Sequence, residues 1–301
     1  MEGDELELIA WLREHAPNNV ALRTGIGDDM AILAAGGPTL FASDMLLDGV
    51  HFDARRHGLR DVGWKAVACN LSDCAAMAVR PVGITISLAL PRKFSLSEVQ
   101  ELYAGLFDVA KRFGVAVAGG DTTRWDHPLV IDVAVLAEPY PGVTPIPRSA
   151  AQPGDGLYVT GPLGGSILGK HLSFMPRVVE AHRLAASLKG RLHAMIDVSD
   201  GLSLDLWRLC SASGVGAVLE EKLLDAVVSE DARRLSAIDG KDPLVHALED
   251  GEDYELLFTA EGPIRVEGVS ALPIGRITDS GLCLHRHDGT AIPLSPGGYV
   301  H

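Results

Sequence analysis

His193-Ala194-Met195-Ile196-Asp197-Val198-Ser199-Asp200-Gly201-Leu202 is the stretch whose reading decides the fold class. Its apolar start reads as a short strand, and its end opens a helix that runs from Leu202 to Ser213 with Gly214 as C-cap. Between the two lies a break rich in carboxylates. Similar breaks recur at Gly27-Asp28-Asp29, Ser43-Asp44, Asn70-Leu71-Ser72-Asp73, Gly119-Gly120-Asp121-Thr122 and Asp250-Gly251-Glu252-Asp253. Most follow an apolar run of strand type, as Val115–Ala118 precedes Asp121. A single such aspartate is an ordinary turn residue or cap. Several, each at the end of a strand, are expected to converge at one sheet edge, where they repel unless a cation sits among them. Hard oxygen ligands suit Mg²⁺, which is held by a few carboxylates together with substrate phosphates. The pattern points to a magnesium-nucleotide enzyme of the α/β (α+β) class.

Composition narrows the field. With 301 residues, the chain is long enough for two domains with ample core. A formal charge of −14 argues against nucleic-acid binding, which needs a basic face. Cys69, Cys74, Cys210 and Cys283 have neither CxxC spacing nor histidine partners, so they suggest no zinc site or disulfide framework. The acidic start (Glu2, Asp4, Glu5, Glu7) is no secretion signal, and no apolar run reaches the length of a membrane span. A cytoplasmic protein is expected.

Helices are expected over Glu5–His15, Leu59–Val79, Ser95–Phe113 (capped by Ser95 or Ser97) and Pro176–Leu188. Strands are expected at Leu40–Ala42, Val82–Leu90, Val115–Ala118, Leu129–Ala137, Gly156–Thr160, Val218–Glu220, Tyr254–Thr259, Leu272–Ile274 and Leu282–Leu284. Glu138–Pro147 carries four prolines and marks the boundary between domains 1–140 and 141–301. The natural ligand site is a cleft between them.

Two familiar phosphate motifs fail. Gly164-Gly165-Ser166-Ile167-Leu168-Gly169-Lys170-His171 nearly matches a P-loop, but His171 stands where the Mg²⁺-binding hydroxyl is required. Gly25-Ile26-Gly27-Asp28-Asp29-Met30 lacks the third glycine of the dinucleotide fingerprint. There is no GxSxG elbow, no HExxH helix and no kinase HRD or DFG set. Ser199 has no histidine nearby to make it a nucleophile, so its hydroxyl and turn amides are better read as phosphate contacts. Of Lys65, Arg124, Arg148 and Arg177, one or two are expected to meet the nucleotide.

In order along the chain stand Ser43-Asp44-Met45-Leu46, Gly49-Val50-His51-Phe52, Lys65 to Asp73, Gly119 to Thr123, Arg148-Ser149-Ala150, Pro153-Gly154-Asp155, Ile196 to Leu202 and Gly251-Glu252-Asp253-Tyr254-Glu255-Leu256. Together they resemble the thiamine-monophosphate kinase family, of the superfamily that includes aminoimidazole ribonucleotide synthetase and selenophosphate synthetase. The resemblance implies a two-domain synthetase-like fold, with an N-terminal domain that forms a dimeric β-barrel and a C-terminal α/β sandwich completing the active-site cleft. It implies transfer of phosphate from ATP to thiamine monophosphate with several Mg²⁺ ions, in a homodimer. By the same resemblance Asp44, Asp73 and Asp121 are catalytic. Asp28, Ala42, Ser43, Asp44, Asp73, Asp121, Asp197 and Asp200 are near metal. Tyr103, Gly120, Asp121, Arg148 and Ser199 contact ATP, and His51, Glu252 and Tyr299 hold the thiamine substrate. Gly165 stands where relatives often carry Asp, and Asp250 where they carry glycine. A related ATP-using synthetase, or a silent nucleotide-binding homologue, remains the alternative.

Overall fold

The computed structural model describes residue 8 and residues 11–24, 32–34 and 37–299, with the backbone alone at 23–24 and 32–33. The helix expected from Glu5 therefore lies partly outside the described residues; residues 11–15 are helical. The chain divides into two compact units, residues 1–74 with 80–139, and residues 75–79 with 140–301.

In the first unit, β1 (Leu22–Thr24) pairs antiparallel with β2 (Ile32–Leu33). A four-stranded sheet is built from β3 (Leu40–Leu47), β4 (Val79–Pro91), β5 (Ala116–Trp125) and β6 (Val130–Pro139), in the order β3-β6-β4-β5. β3 runs antiparallel to β6, with Leu40 opposite Ala137 and Leu47 opposite Val130, while β4 and β5 are parallel. The buried positions of β4 (Ile84, Ile86, Leu88, Leu90) and of β6 (Ile131, Val133, Val135) alternate, which puts the core on one sheet face. Helices Leu59–Ala76 and Leu96–Phe113 contribute Val62, Val67, Leu71, Leu102, Leu106 and Val109 to that core. Ser95 and Glu98 form a capping box that starts the second helix, and left-handed Gly114 ends it.

One expectation needs correction here. Ser43-Asp44 and Gly119-Gly120-Asp121 do not terminate strands; they lie inside β3 and β5. Ladder pairing carries the backbone through them, and the β-branched Thr122-Thr123 continues β5. The four-stranded sheet is open at β3 and β5 among the described residues of one chain, which does not bear on a barrel shared between two chains.

The second unit has a seven-stranded mixed sheet. Its strands are β7 (Gly156–Val159), β8 (Leu192–Asp197), β9 (Gly216–Glu220), β10 (Leu256–Ala260), β11 (Leu272–Thr278), β12 (Leu282–His285) and β13 (Ala291–Pro293). They are ordered β13-β12-β9-β11-β7-β10-β8, with only β12 and β9 parallel. Helix Leu202–Ser213 packs Leu202, Leu206 and Leu209 into a core shared with Leu157, Ile196, Leu219, Leu257 and Ile274. Helices Val178–Leu188, Glu230–Asp239 and Pro243–Glu249 complete the unit with short turns at Lys170–Ser173 and Glu221–Leu224. Among the described residues, no helix is long and apolar enough to cross a membrane.

Candidate functional site

In the first unit, strand alternation sorts the acidic residues by face. Asp44 lies opposite buried-face Val133 and Ala42 opposite Val135, so both share the covered face of β3. Ser43 pairs with Ala134 on the open face. Asp73 comes from the helix Leu59–Ala76, next to the buried thiol of Cys74. Burial, then the charges of Asp73 and Asp44, push that thiol well above its ordinary range, which places both carboxylates within Coulombic reach of one point. Asn70, fully buried one turn earlier on the same helix, keeps its Oδ1 without a hydrogen-bond partner. Two carboxylates within Coulombic reach of one thiol, and an unpartnered amide oxygen one turn away on the same helix as Asp73, are hard oxygen donors of the type that suits Mg²⁺. No group of three histidine, cysteine or acidic side chains converges on a metal-sized point among the described residues, and Asp28 lies outside them.

Asp121 takes another position. Its β4 partner is Ser87, on the open face, and its Oδ1 accepts the Thr122 amide at 2.8 Å. Gly120 is required by close approach, because a Cβ there would lie 1.8 Å from the Ile86 carbonyl. Tyr103 is buried against Trp11 and Phe107 and hydrogen-bonded to Thr122; burial outweighs that bond and pushes its phenol up to about 12. His51 accepts the Leu47 amide at Nδ1 (3.0 Å), and its own carbonyl accepts the Nζ of fully buried Lys65 at 2.7 Å. Lys65 thus serves the His51 turn. Arg124 donates to the carbonyls of Arg92 and Phe94.

In the second unit the break after β8 is held from below by a residue the sequence reading missed. Asp205 is fully buried in the first turn of helix Leu202–Ser213, and its Oδ2 accepts the amides of Ser199 (3.1 Å) and Asp200 (3.0 Å). Arg208 donates to Asp205 at 2.7 Å and to Asp200 at 2.5 Å. Burial raises the Asp205 carboxyl to about 7; the Asp200 amide and Arg208 oppose the shift, and neighbouring Asp197 and Asp200 add to it. The turn amides expected to meet phosphate are therefore already occupied. The Ser199 hydroxyl has no hydrogen bond among the described residues. The signal for Asp205 was present: a carboxylate four residues after Gly201, on the first turn of a capped helix.

Glu252 and Tyr299 converge on the same turn. The Glu252 amide donates to Ser199 O at 2.7 Å, and the Tyr299 amide donates to Asp200 O at 2.9 Å. Tyr299 keeps 47% of its surface exposed. Glu252 and Tyr254 adopt left-handed φ of 54° and 51°, a conformation that costs a non-glycine residue about 1–3 kcal/mol and concentrates at functional sites. Next to Tyr254, Glu255 is buried and bound by Arg177 through both oxygens at 2.8 Å, by Lys170 at 3.0 Å and by Thr160 at 2.7 Å. Burial alone would raise its carboxyl, but Arg177 and Lys170 together hold it below the usual range. Lys170 and Arg177 are thus spent on Glu255, and the P-loop-like run is a structural turn. Arg148 stays exposed with no ion pair among the described residues.

Two family models cover most of the chain: AIR synthase related protein, N-terminal domain, over residues 27–138, and its C-terminal domain over residues 152–280. A thiamine-monophosphate kinase from Rhodopirellula baltica is 39% identical over 99% of this chain and 97% of its own length. The crystal structure of thiamine-monophosphate kinase from Stenotrophomonas maltophilia is 31% identical and superposes with a TM-score of 0.79, covering 96% of this chain and 97% of that one. A further solved protein, AaThiL complexed with AMPPCP and TMP, is 26% identical with a TM-score of 0.72, covering 98% of this chain and 94% of that one. Matched from end to end in sequence and in fold, this chain belongs to the AIR synthase related family and, within it, to the thiamine-monophosphate kinases.

Proposed function

We propose that this protein transfers the γ-phosphoryl group of ATP to the phosphate of thiamine monophosphate, giving thiamine diphosphate and ADP. One observation carries the reading: the Glu252 and Tyr299 amides dock on successive carbonyls of the Ser199–Asp200 turn, so candidate substrate and nucleotide residues form one construction. The acceptor phosphate is already nucleophilic at neutral pH and needs no strong base. Repulsion between two anions is the barrier, and positioning plus charge neutralisation lowers it. Mg²⁺, when bound, supplies that neutralisation. Asp44 and Asp73, with the backbone of Ala42, would hold metal on the covered side of the first unit. Ser43 and Asp121 lie on the open face but on opposite edge strands, so each would serve metal separately, and Asp28, Asp197 and Asp200 are the further candidate ligands. Ser199, Arg148, Gly120 and Tyr103 serve the nucleotide. His51, Glu252 and Tyr299 orient the thiamine moiety, whose cationic thiazolium suits a carboxylate and an aromatic face.

We further propose a cytosolic homodimer. Phe41 and Met45 expose 76% and 55% of their surface on the open face of β3, next to Leu136 and Asp132 of β6. An apolar sheet face of this kind supports pairing with a second copy, and two such sheets face to face are the route to a shared barrel.

Incubation with Mg-ATP and a panel of thiamine monophosphate, thiamine and an aminoimidazole precursor, followed by mass detection, tests the reading. Consumption of thiamine monophosphate alone is expected. Turnover of the aminoimidazole precursor instead would assign the chain to another activity of the superfamily.

A further inference from the structure

Behind the segment that carries Glu252 lies a polar network with no part in the chemistry above. His246 is 2% exposed, on the helix Pro243–Glu249. Its Nδ1 lies 2.9 Å from Asp250 Oδ1, and its Nε2 lies 3.2 Å from Asp239 Oδ1 at the end of the helix Glu230–Asp239. Both ring nitrogens thus face carboxylates, the environment of an imidazolium that donates twice. The other oxygen of Asp250, Oδ2, accepts the Gly165 amide at 2.8 Å. Asp253 Oδ2 accepts the neighbouring Gly164 amide at 2.8 Å, and Ser166 Oγ donates to Gly251 O at 2.7 Å. Gly164 and Gly165 both take left-handed φ (86° and 73°), and a Cβ on either would strike backbone at 2.6 Å or 2.3 Å. The turn is therefore seated directly on the helices, and three bonds staple it to residues 250–253.

Those residues include Glu252, in its unfavourable left-handed conformation. Such a conformation persists only where the surroundings over-determine it. Gly251 and Glu252 are followed by the Ser199 contact on one side and preceded by the Asp250 staple on the other.

We propose that His246 and Asp250 are positioning residues for the reaction: the imidazolium, clamped between Asp239 and Asp250, aims the Asp250 carboxylate at the Gly165 amide and thereby locks Glu252 in the orientation that receives the thiamine substrate. The inference rests on the reading of Glu252 as a substrate contact. Neither residue touches substrate, and neither needs to. Asp250 acts through the glycine turn, and His246 acts through Asp250.

The test uses the full-length protein with Asp250→Asn, Asp250→Ala and His246→Gln. Steady-state ADP release is expected to show KM for thiamine monophosphate raised about tenfold in Asp250→Ala, with KM for ATP changed less than about twofold, because only the substrate side is misplaced. Asp250→Asn keeps an acceptor for Gly165 and is expected to fall between Ala and wild type. Hydrogen exchange, measured on the same proteins, should show faster exchange at the Gly164, Gly165 and Glu252 amides in Asp250→Ala. Equal rises in both KM values, or a lowered melting temperature with both unchanged, would overturn the proposal. If the wild-type protein makes no thiamine diphosphate, the functional reading falls instead. Hydrogen exchange then decides the staple alone: faster exchange at these three amides supports it, and unchanged exchange overturns it.

Discussion

The amide of Glu252 donates to the carbonyl of Ser199 at 2.7 Å, across 53 positions of sequence. This bond joins the loop before β10 to the loop after β8, two strands that are antiparallel neighbours with Leu256 opposite Asp197. Adjacent strands deliver both loops to one sheet end. The second unit therefore presents Asp197, Ser199, Asp200 and Glu252 as a single edge, and Tyr299 closes on it through Asp200.

If Asp73 holds Mg²⁺ as proposed, Asp73→Asn is expected to lower turnover by at least about 100-fold, because a carboxylate that would hold the cation neutralising the transferring phosphoryl group is lost. Its melting temperature in metal-free buffer should hold or rise, since a repulsion with Asp44 is relieved. The pair of readings is a Mg²⁺-dependent rate and a thermal melt. Near-normal turnover would remove Asp73 from the metal set.

Tyr299→Ala should raise KM for thiamine monophosphate more than KM for ATP. The Tyr299 amide, which holds the chain to Asp200, is untouched by the substitution, so the ring alone is tested. A larger effect on ATP would move Tyr299 to the nucleotide side.

Asp205→Ala leaves the Ser199 and Asp200 amides without their acceptor and Arg208 without one of its two carboxylates. A loss of about 3 kcal/mol is expected from denaturant unfolding, in the range for removing one partner of a buried charged network. A change below about 1 kcal/mol would mean water replaces the carboxylate at no cost.

His246 gives the fold a pH dependence of definite sign. Burial acts to lower its pKa, but the bond and charge of Asp250, then those of Asp239, outweigh it and raise the pKa above the ordinary 6.5. The fold therefore binds this proton more tightly than the unfolded chain does. Its contribution is complete below 6.5 and is lost as pH rises through the folded value. Besides those two carboxylates, Asp242 and Glu249 flank it on its own helix, and Asp253 sits at the glycine turn. Melting temperatures between about pH 6 and pH 9 should fall less steeply in His246→Gln than in wild type. Parallel slopes would show that His246 is neutral in the fold.

Phe41→Asp with Met45→Asp should halve the mass measured by sedimentation if the open face of β3 is the dimer surface. Both side chains point away from the core, so the monomer is expected to keep its fold. An unchanged mass would place the interface elsewhere or leave the wild type monomeric.

Local chemistry made much of the fold legible. Ser95 with Glu98, Gly114 and Gly214 announce helix ends through capping rules that need no tertiary context. The ordered acidic motifs led to the thiamine-monophosphate kinase family that the full-length matches show. The strand character of Ser43-Asp44 and Gly119-Gly120-Asp121 was hidden, because propensity there is poor and pairing with β6 and β4 decides it. Once these segments are strands, alternation separates Ser43 from Asp44, which adjacency in sequence had suggested act together. Helices Glu230–Asp239 and Pro243–Glu249 escaped notice, although the caps Ser229 and Asp242-Pro243 were readable signals. Arg177 looked available for phosphate; its commitment to Glu255, which Lys170 shares, is a contact across more than 70 residues that no local pattern contains. Gly165 and Asp250, noted separately as departures from relatives, turn out to be hydrogen-bonded to each other.

The most direct measurement is ADP release from Mg-ATP with and without thiamine monophosphate, paired with quantitation of thiamine diphosphate by mass. The account predicts that ADP appears only with the acceptor present, in equal amount to thiamine diphosphate. ADP release that ignores the acceptor, or ATP binding with no diphosphate formed, would contradict it.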